Sequence, residues 1–276
     1  MQVQTLTEIK AILASRGLRP KHRFGQNFLH DHNVLRSLMK AANISAGEVI
    51  LEVGPGTGAL TDLLVTANAQ VIACEMDRDL AAFNRERFQE RITLIEGDCL
   101  AGKHSLNPLI TAAINGRPFR LIANLPYQAA TPLIAILLND FPHCMGMHVT
   151  IQREVAQRLT AAPDTSDMGL LSVMAQFYSS IQTVAEIRPG SFWPEPEVTS
   201  AIIEVVPHQP RPALPAHLQT LLACAFQHRR KQLGSSLSAQ FTLPADFDRT
   251  RRPETLSVQE WIALAHFQDA PRQHHS

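Results

Sequence analysis

Asn124-Leu125-Pro126-Tyr127 follows directly on the run Phe119-Arg120-Leu121-Ile122-Ala123, and brings an amide, a proline-fixed backbone and an aromatic ring together. That combination suits the capture of a planar base by its exocyclic amine. The Asn124 side-chain carbonyl can accept one amine hydrogen, and a main-chain carbonyl of Leu125 or Pro126 can accept the other. Tyr127 can then lie against the face of the base. In isolation the tetrapeptide reads better as Asn-x-Pro turn chemistry with a core tyrosine behind it. Its meaning rests on the elements that would position it.

Val49-Ile50-Leu51-Glu52-Val53 predicts a short buried strand that runs into Gly54-Pro55-Gly56-Thr57-Gly58, with a helix over 59–67. Glycines allow a sharp turn and let a ligand approach the main chain. The next strand, 70–74, ends in Glu75, about 20 residues beyond the loop, where an acid accepts hydrogen bonds from a ribose diol. Asp77 suits the cap of the helical run 80–88. A third strand, 92–95, ends in Glu96-Gly97-Asp98, and a fourth, 119–123, ends in Asn124. Ligands of a doubly wound parallel sheet bind outside the carboxyl ends of its strands, so Gly54, Glu75, Asp98 and Asn124 are expected to face one crevice, Asp98 against an adenine amine. The loop has neither Gly-x-Gly-x-x-Gly nor Gly-Lys-Ser/Thr spacing, which disfavours a dinucleotide or ATP. A nucleoside cofactor without phosphates fits better. S-adenosylmethionine has the adenine, the diol, an amino-acid tail and a reactive sulfonium methyl.

The 276 residues, 45% hydrophobic and 18% charged, allow one large domain or a large and a small one. No apolar leader follows Met1, and the densest apolar run, 133–138, is too short to span a bilayer, so a cytoplasmic protein with no membrane partner is expected. Cys74, Cys99, Cys144 and Cys224 form no Cys-x-x-Cys pair, and neither a metal site nor a disulfide framework is expected. The formal charge of +0 lacks the basicity of many nucleic-acid binders. Two basic clusters stand against it, Arg16, Arg19, Lys21, His22 and Arg23 near the start, and His228, Arg229, Arg230 and Lys231 late in the chain. Either reads alone as a solvated face.

Further helices are expected over 5–16, 34–42, 132–139 and 153–160, with an irregular segment at 24–29, a strand over 147–151 and a loop over 161–168. Strands over 181–187 and 201–206 read as a hairpin-like pair joined by Pro189 to Pro196. The run His208-Gln209-Pro210-Arg211-Pro212 reads as a linker. It divides a domain of residues 1–207 from a small helical one of residues 208–276, with a disordered tail at 272–276.

Seven segments, in this order, carry a resemblance to a known family. They are Arg23-Phe24-Gly25-Gln26-Asn27-Phe28-Leu29, Leu51-Glu52-Val53-Gly54-Pro55-Gly56-Thr57-Gly58-Ala59-Leu60-Thr61, Asn124-Leu125-Pro126-Tyr127, Gln152-Arg153-Glu154-Val155-Ala156, Leu171-Ser172-Val173-Met174-Ala175-Gln176, Phe192-Trp193-Pro194 and Ala225-Phe226-Gln227-His228-Arg229-Arg230-Lys231. Together they resemble the ribosomal RNA adenine N6-dimethyltransferases, most closely the bacterial small-subunit type. The resemblance implies an α/β fold, with the doubly wound, mostly parallel seven-stranded sheet of a Rossmann-like class I methyltransferase and a small C-terminal helical domain. It implies an S-adenosylmethionine pocket at Gln26, Asn27, Leu29, Gly54, Gly56, Glu75, Asp98 and Asn124, and a target adenine at Asn124, Leu125, Pro126 and Tyr127. Phe192 would be a second ring on the base. Read from the residues alone, it closes the core edge equally well. Arg19, Lys21, Arg23, Arg229, Arg230 and Lys231 would face the RNA backbone.

The activity so implied is N6,N6-dimethylation of two adjacent adenosines near the 3′ end of small-subunit (16S) ribosomal RNA, by a monomer acting on an immature 30S subunit during ribosome biogenesis. Alternatives are a large-subunit rRNA methyltransferase, a non-catalytic assembly factor, or, on the glycine loop alone, a small-molecule methyltransferase. The chain departs from the family's pattern at Gln128-Ala129-Ala130, where Asn-Ile-Ser is typical, and at Glu195, Glu197 and Thr199, where Pro, Lys and Asp are usual. The added acids weigh on RNA affinity rather than on the chemistry.

Overall fold

All five residues of Val49–Val53 are buried, glutamate included, as in a strand covered on both faces. The computed structural model describes residues 4–102 and 104–269, so the tail expected at 272–276 lies outside the described residues. The strands are, in chain order, β1 (Phe28–Leu29), β2 (Val49–Val53), β3 (Gln70–Glu75), β4 (Ile92–Glu96), β5 (Phe119–Asn124), β6 (Cys144–Gln152), β7 (Ser179–Ile187), β8 (Phe192–Trp193) and β9 (Ser200–Pro207). Seven of them form one sheet in the order β4-β3-β2-β5-β6-β9-β7, and β1 with β8 makes a second, two-stranded one. The β2–β3, β3–β4, β2–β5 and β5–β6 pairs are parallel, and β6–β9 is antiparallel. Chain order reverses at β2, which has β3 on one side and β5 on the other, and such a switch point is where open α/β sheets bind ligands.

The chain divides into two compact units, residues up to 156 with 181–207, and 157–180 with residues from 208 onward. In the first, Leu35, Leu38, Leu64, Phe88 and Ile122 belong to one buried apolar cluster. A smaller cluster joins Ile9 and Leu13 of the helix Leu6–Ser15 to Phe28 and Leu80. The second unit is helical over Leu218–Gln227, Leu233–Leu237 and Val258–Asp269, and buries Leu221, Leu222 and Trp261. No helix among the described residues is long and apolar enough to cross a membrane.

The structure departs from the sequence reading in two places. The helix expected from Pro132 spans Tyr127–Asp140 and carries Pro132 inside it. Pro126, at φ −57°, caps that helix, and its carbonyl accepts from the Ala129 amide at 2.9 Å, so the first turn forms directly behind the tetrapeptide. The segment around 24–29, expected to be irregular, contributes β1, whose Leu29 pairs with Phe192 and Phe28 with Trp193. As expected of the last two long strands, β7 and β9 are neighbours at one end of the main sheet, where β9 joins it antiparallel to β6.

Candidate active site

Because β2 and β5 are parallel neighbours, with Leu51 opposite Leu121, their carboxyl ends deliver Gly54 and Asn124 side by side. Gly54 has φ +74°, and a Cβ on it would lie 3.3 Å from the Pro126 ring. The glycine loop and the turn at 124–127 therefore share one wall. Gly56, at φ +58°, approaches Phe28 as closely, with a Cβ placed 3.1 Å from that ring. Beyond this contact lies a cavity of about 400 Å³, within the ~300–1,000 Å³ range of small-molecule sites. All eight residues expected to hold the cofactor line it, from Gln26 in the N-terminal segment to Asn124 at the end of β5. So do Leu125, Pro126, Tyr127, Phe192 and Arg23.

On the β3 side the acceptor is a buried acid. Glu75 takes the Gly56 amide on Oε2 at 3.0 Å and the Asp77 amide on Oε1 at 2.9 Å. Each oxygen keeps lone-pair capacity for a hydroxyl. Burial raises its pKa, and the two amide bonds oppose that rise. Asp98 is exposed at the end of β4, one oxygen closing a local turn with the Leu100 amide at 2.9 Å. Gln26 has a structural part besides lining the cavity. Its Nε2 donates to Asp77 Oδ2 at 2.7 Å, and its Oε1 accepts from the Lys21 amide at 2.7 Å. The Lys21 ammonium lies 2.7 Å from Asp77 and 2.6 Å from Asp79. Burial works to raise the Asp77 carboxyl, but Lys21 and Gln26 outweigh it and hold its pKa below the ordinary aspartate value. The Cys74 thiol, by the same cavity, is pushed up to about 12 by burial, so no thiolate nucleophile is available there at neutral pH.

On the β5 side the amide is clamped. Asn124 Nδ2 donates to the Asn27 main-chain carbonyl at 3.1 Å, and the Thr150 hydroxyl donates to Asn124 Oδ1. Of the two main-chain carbonyls offered by sequence, that of Pro126 is committed to the helix. The Leu125 carbonyl precedes that ladder and is the better second acceptor. The Tyr127 hydroxyl meets Ser200 Oγ at 2.7 Å, which tethers the ring to β9, and burial raises the phenol's pKa. Phe192 is 2% exposed and belongs to the core cluster, as the core-edge reading expects, and it also lines the cavity.

The family model of the ribosomal RNA adenine dimethylases matches residues 17–257. The chain belongs to that family. Its chemistry is S-adenosylmethionine-dependent methylation of ribosomal RNA. It is 39% identical over 249 residues to a protein of Leptothrix cholodnii called ribosomal RNA small subunit methyltransferase A, covering 89% of this chain and 90% of that one. A protein of the same name from Marinobacter nauticus is 36% identical over 258 residues, 90% of this chain and 91% of the other. Among solved structures, a dimethyladenosine transferase from Plasmodium falciparum has the same fold, with a TM-score of 0.71 at 22% identity over 86% of this chain and 95% of that one.

In this dimethylase the basic residues expected at RNA separate into two kinds. Arg19 and Arg23 are exposed, Arg23 with its guanidinium 4.6 Å from the Phe24 ring centre, whereas Lys21 is paired with the two aspartates. In the second unit Arg229 donates to the main-chain carbonyls of Thr165, at 3.3 Å, and Ser166, at 2.5 Å. Arg230 and Lys231 are exposed and belong to none of the ion pairs among the described residues.

Four side chains of the dimethylase site escaped the sequence reading. Glu52 lines the cavity from inside β2 at 1% exposure, accepts from the Thr61 hydroxyl at 2.7 Å, and is pushed up to about 8 by burial. A charge-bearing residue within an otherwise apolar strand was its signal. Asn84, fully buried, donates to the Gly56 carbonyl at 2.8 Å and so fixes the glycine loop from behind. Thr150 and Ser200 act across strand neighbours, and no local pattern marks them.

Proposed function

We propose that this cavity holds S-adenosylmethionine, and that the enzyme dimethylates N6 of two adjacent adenosines near the 3′ end of small-subunit (16S) rRNA, in an immature 30S particle. The protein would act as a monomer in the cytoplasm. The observation that carries this reading is the clamped Asn124 amide beside the Gly54 loop, with Pro126 packed between them. The residues suit the cofactor: a buried acid with free lone pairs for the diol at Glu75, Asp98 for the adenine amine, and a loop whose glycines leave the main chain open. Bound there, S-adenosylmethionine supplies an electrophilic methyl group.

The protein's own work is on the amine. Asn124 Oδ1 and the Leu125 carbonyl accept its two hydrogens, which favours a pyramidal nitrogen with its lone pair free for in-line attack. Such a transfer needs chiefly positioning and preorganised electrostatics. Taking a base out of its stack costs a few kcal/mol, and stacking on Tyr127, with Phe192 behind, offsets about 1–3 kcal/mol of it. The expected result is transfer of label from S-adenosylmethionine to adenosine in unmethylated small subunits. Asn124→Ala should lower kcat by roughly 10²–10³-fold, the scale of losing one preorganised polar group at a reacting atom. Transfer to large subunits alone would redirect the reading to the other subunit. Full cellular complementation by N124A would turn it to an assembly factor.

A further inference from the structure

Thr150 occupies a position at which a chain has every physical reason to place valine. It lies in β6 between the buried Val149 and Ile151, opposite Asn124 on one side and Ile202 on the other, and is 1% exposed. Strand interiors of this kind favour β-branched apolar side chains, and a buried hydroxyl is costly unless it is hydrogen-bonded. Among the described residues the partner of that hydroxyl is Asn124 Oδ1. The Thr150 carbonyl also accepts the Leu125 amide at 3.2 Å, so this one residue touches both residues that offer acceptors to the target amine.

An asparagine amide turns easily about its last side-chain bond, and exchanging its oxygen and nitrogen changes the shape very little. Turned the wrong way, Asn124 would set two N–H donors against an amine that needs acceptors. Two contacts prevent this, and they do different things. The Asn27 carbonyl can only accept, so its bond to Nδ2 at 3.1 Å sets which end of the amide is which. The Thr150 hydroxyl takes one lone pair of Oδ1 and fixes the plane, which leaves the second lone pair available on a residue that lines the cavity.

We propose that Thr150 is a positioning residue for methyl transfer, its hydroxyl holding Asn124 Oδ1 at the angle that accepts the amine hydrogen. This rests on the assignment of the target amine to Asn124. Thr150 does not touch the substrate and acts only through that amide. It follows that removing the hydroxyl while keeping the shape harms turnover without harming the fold, the opposite of what a packing residue would do.

Steady-state transfer of tritiated methyl to unmethylated small subunits, with the full-length protein, tests this. Thr150→Val should lower kcat by about tenfold, with KM for S-adenosylmethionine within about twofold of wild type. Its Tm should be equal to or above that of wild type. Thr150→Ser, which keeps the hydroxyl, should retain at least about half of kcat. Thr150→Ala also lacks the hydroxyl and carries the comparison should the valine variant not fold. Wild-type kcat in the valine or alanine variant would overturn the proposal, as would a loss in the serine variant equal to that in valine. A loss confined to KM for S-adenosylmethionine would do the same. A fully active Asn124→Ala enzyme would instead show that the assignment beneath the proposal has failed.

Discussion

An adenine amine nucleophile has its lone pair delocalised into the ring, so the residues that matter most are those that redirect it, and they need not ionise. In the function proposed, Asn124 and the Leu125 carbonyl would do this by hydrogen-bond geometry alone. The site's strongly perturbed carboxyl, Glu52, serves another purpose and makes itself visible through pH. Burial pushes it up to about 8, against an ordinary value of 4.5, so between those limits the folded protein holds a proton that the unfolded chain has released. Stability from this group is therefore highest below about pH 4.5 and declines as pH rises towards 8. Glu52→Gln keeps the shape and the Thr61 contact but cannot ionise. The Tm of the variant minus that of wild type, measured without cofactor, should grow by several degrees between pH 5 and pH 8, given roughly 2–4 °C per kcal/mol for a chain of this size. A difference that stays constant across that range would show that Glu52 does not titrate there.

The segment from Lys21 to Leu29 is the element on which both halves of the site depend. It brings Asn27 to the Asn124 amide and Gln26 and Leu29 to the cavity, and it is fastened to the turn after β3 by Lys21, Gln26 and Asp77. Asp77 in turn gives its amide to Glu75. The expected effect of Lys21→Met is a roughly three- to tenfold higher KM for S-adenosylmethionine with kcat little changed, less than the full worth of one charge-assisted bond because Lys21 acts on the cavity only through Asp77. If Lys21 met RNA phosphates instead, the substitution would weaken RNA binding and leave that KM alone. Sequence carried much of this region: the strand, glycine loop and helix at 49–67, Glu75 after the second strand, and the tetrapeptide at the end of the fourth. Composition and local spacing report such features because they are set by neighbours in the chain. Thr150, Ser200 and the Lys21–Asp77 fastening were not legible, since each depends on which strand or segment lies alongside another. The early start of the helix Tyr127–Asp140 was hidden by Pro132, which usually marks a helix beginning rather than an interior.

At the scale of the whole molecule, 25 basic residues are balanced by 25 acidic ones, and many of the basic ones are already engaged. Arg16 pairs with Glu86, Lys21 with Asp77 and Asp79, Arg120 with Glu48 and Arg251 with Glu260. A protein with no net charge gains little from diffuse attraction to RNA, so affinity must come from exposed cations outside such pairs. Arg230 and Lys231, exposed and outside those pairs, are the strongest such candidates in the second unit, while Arg229 is bound up with the Thr165 and Ser166 carbonyls. Alanine at 230 or 231 should therefore flatten the dependence of log affinity for small subunits on log salt by about 0.7–0.9 per residue, and weaken binding to any ribosomal RNA alike. At saturating RNA, kcat should hold, because neither residue lines the cavity. Alanine at Arg229 should act differently, lowering Tm with a smaller change in the salt slope. Equal slopes for wild type and the 230 and 231 variants would mean that these cations do not meet phosphate, and the affinity of this near-neutral enzyme would then have to come from other exposed cations, Arg19 and Arg23 in the first unit among them.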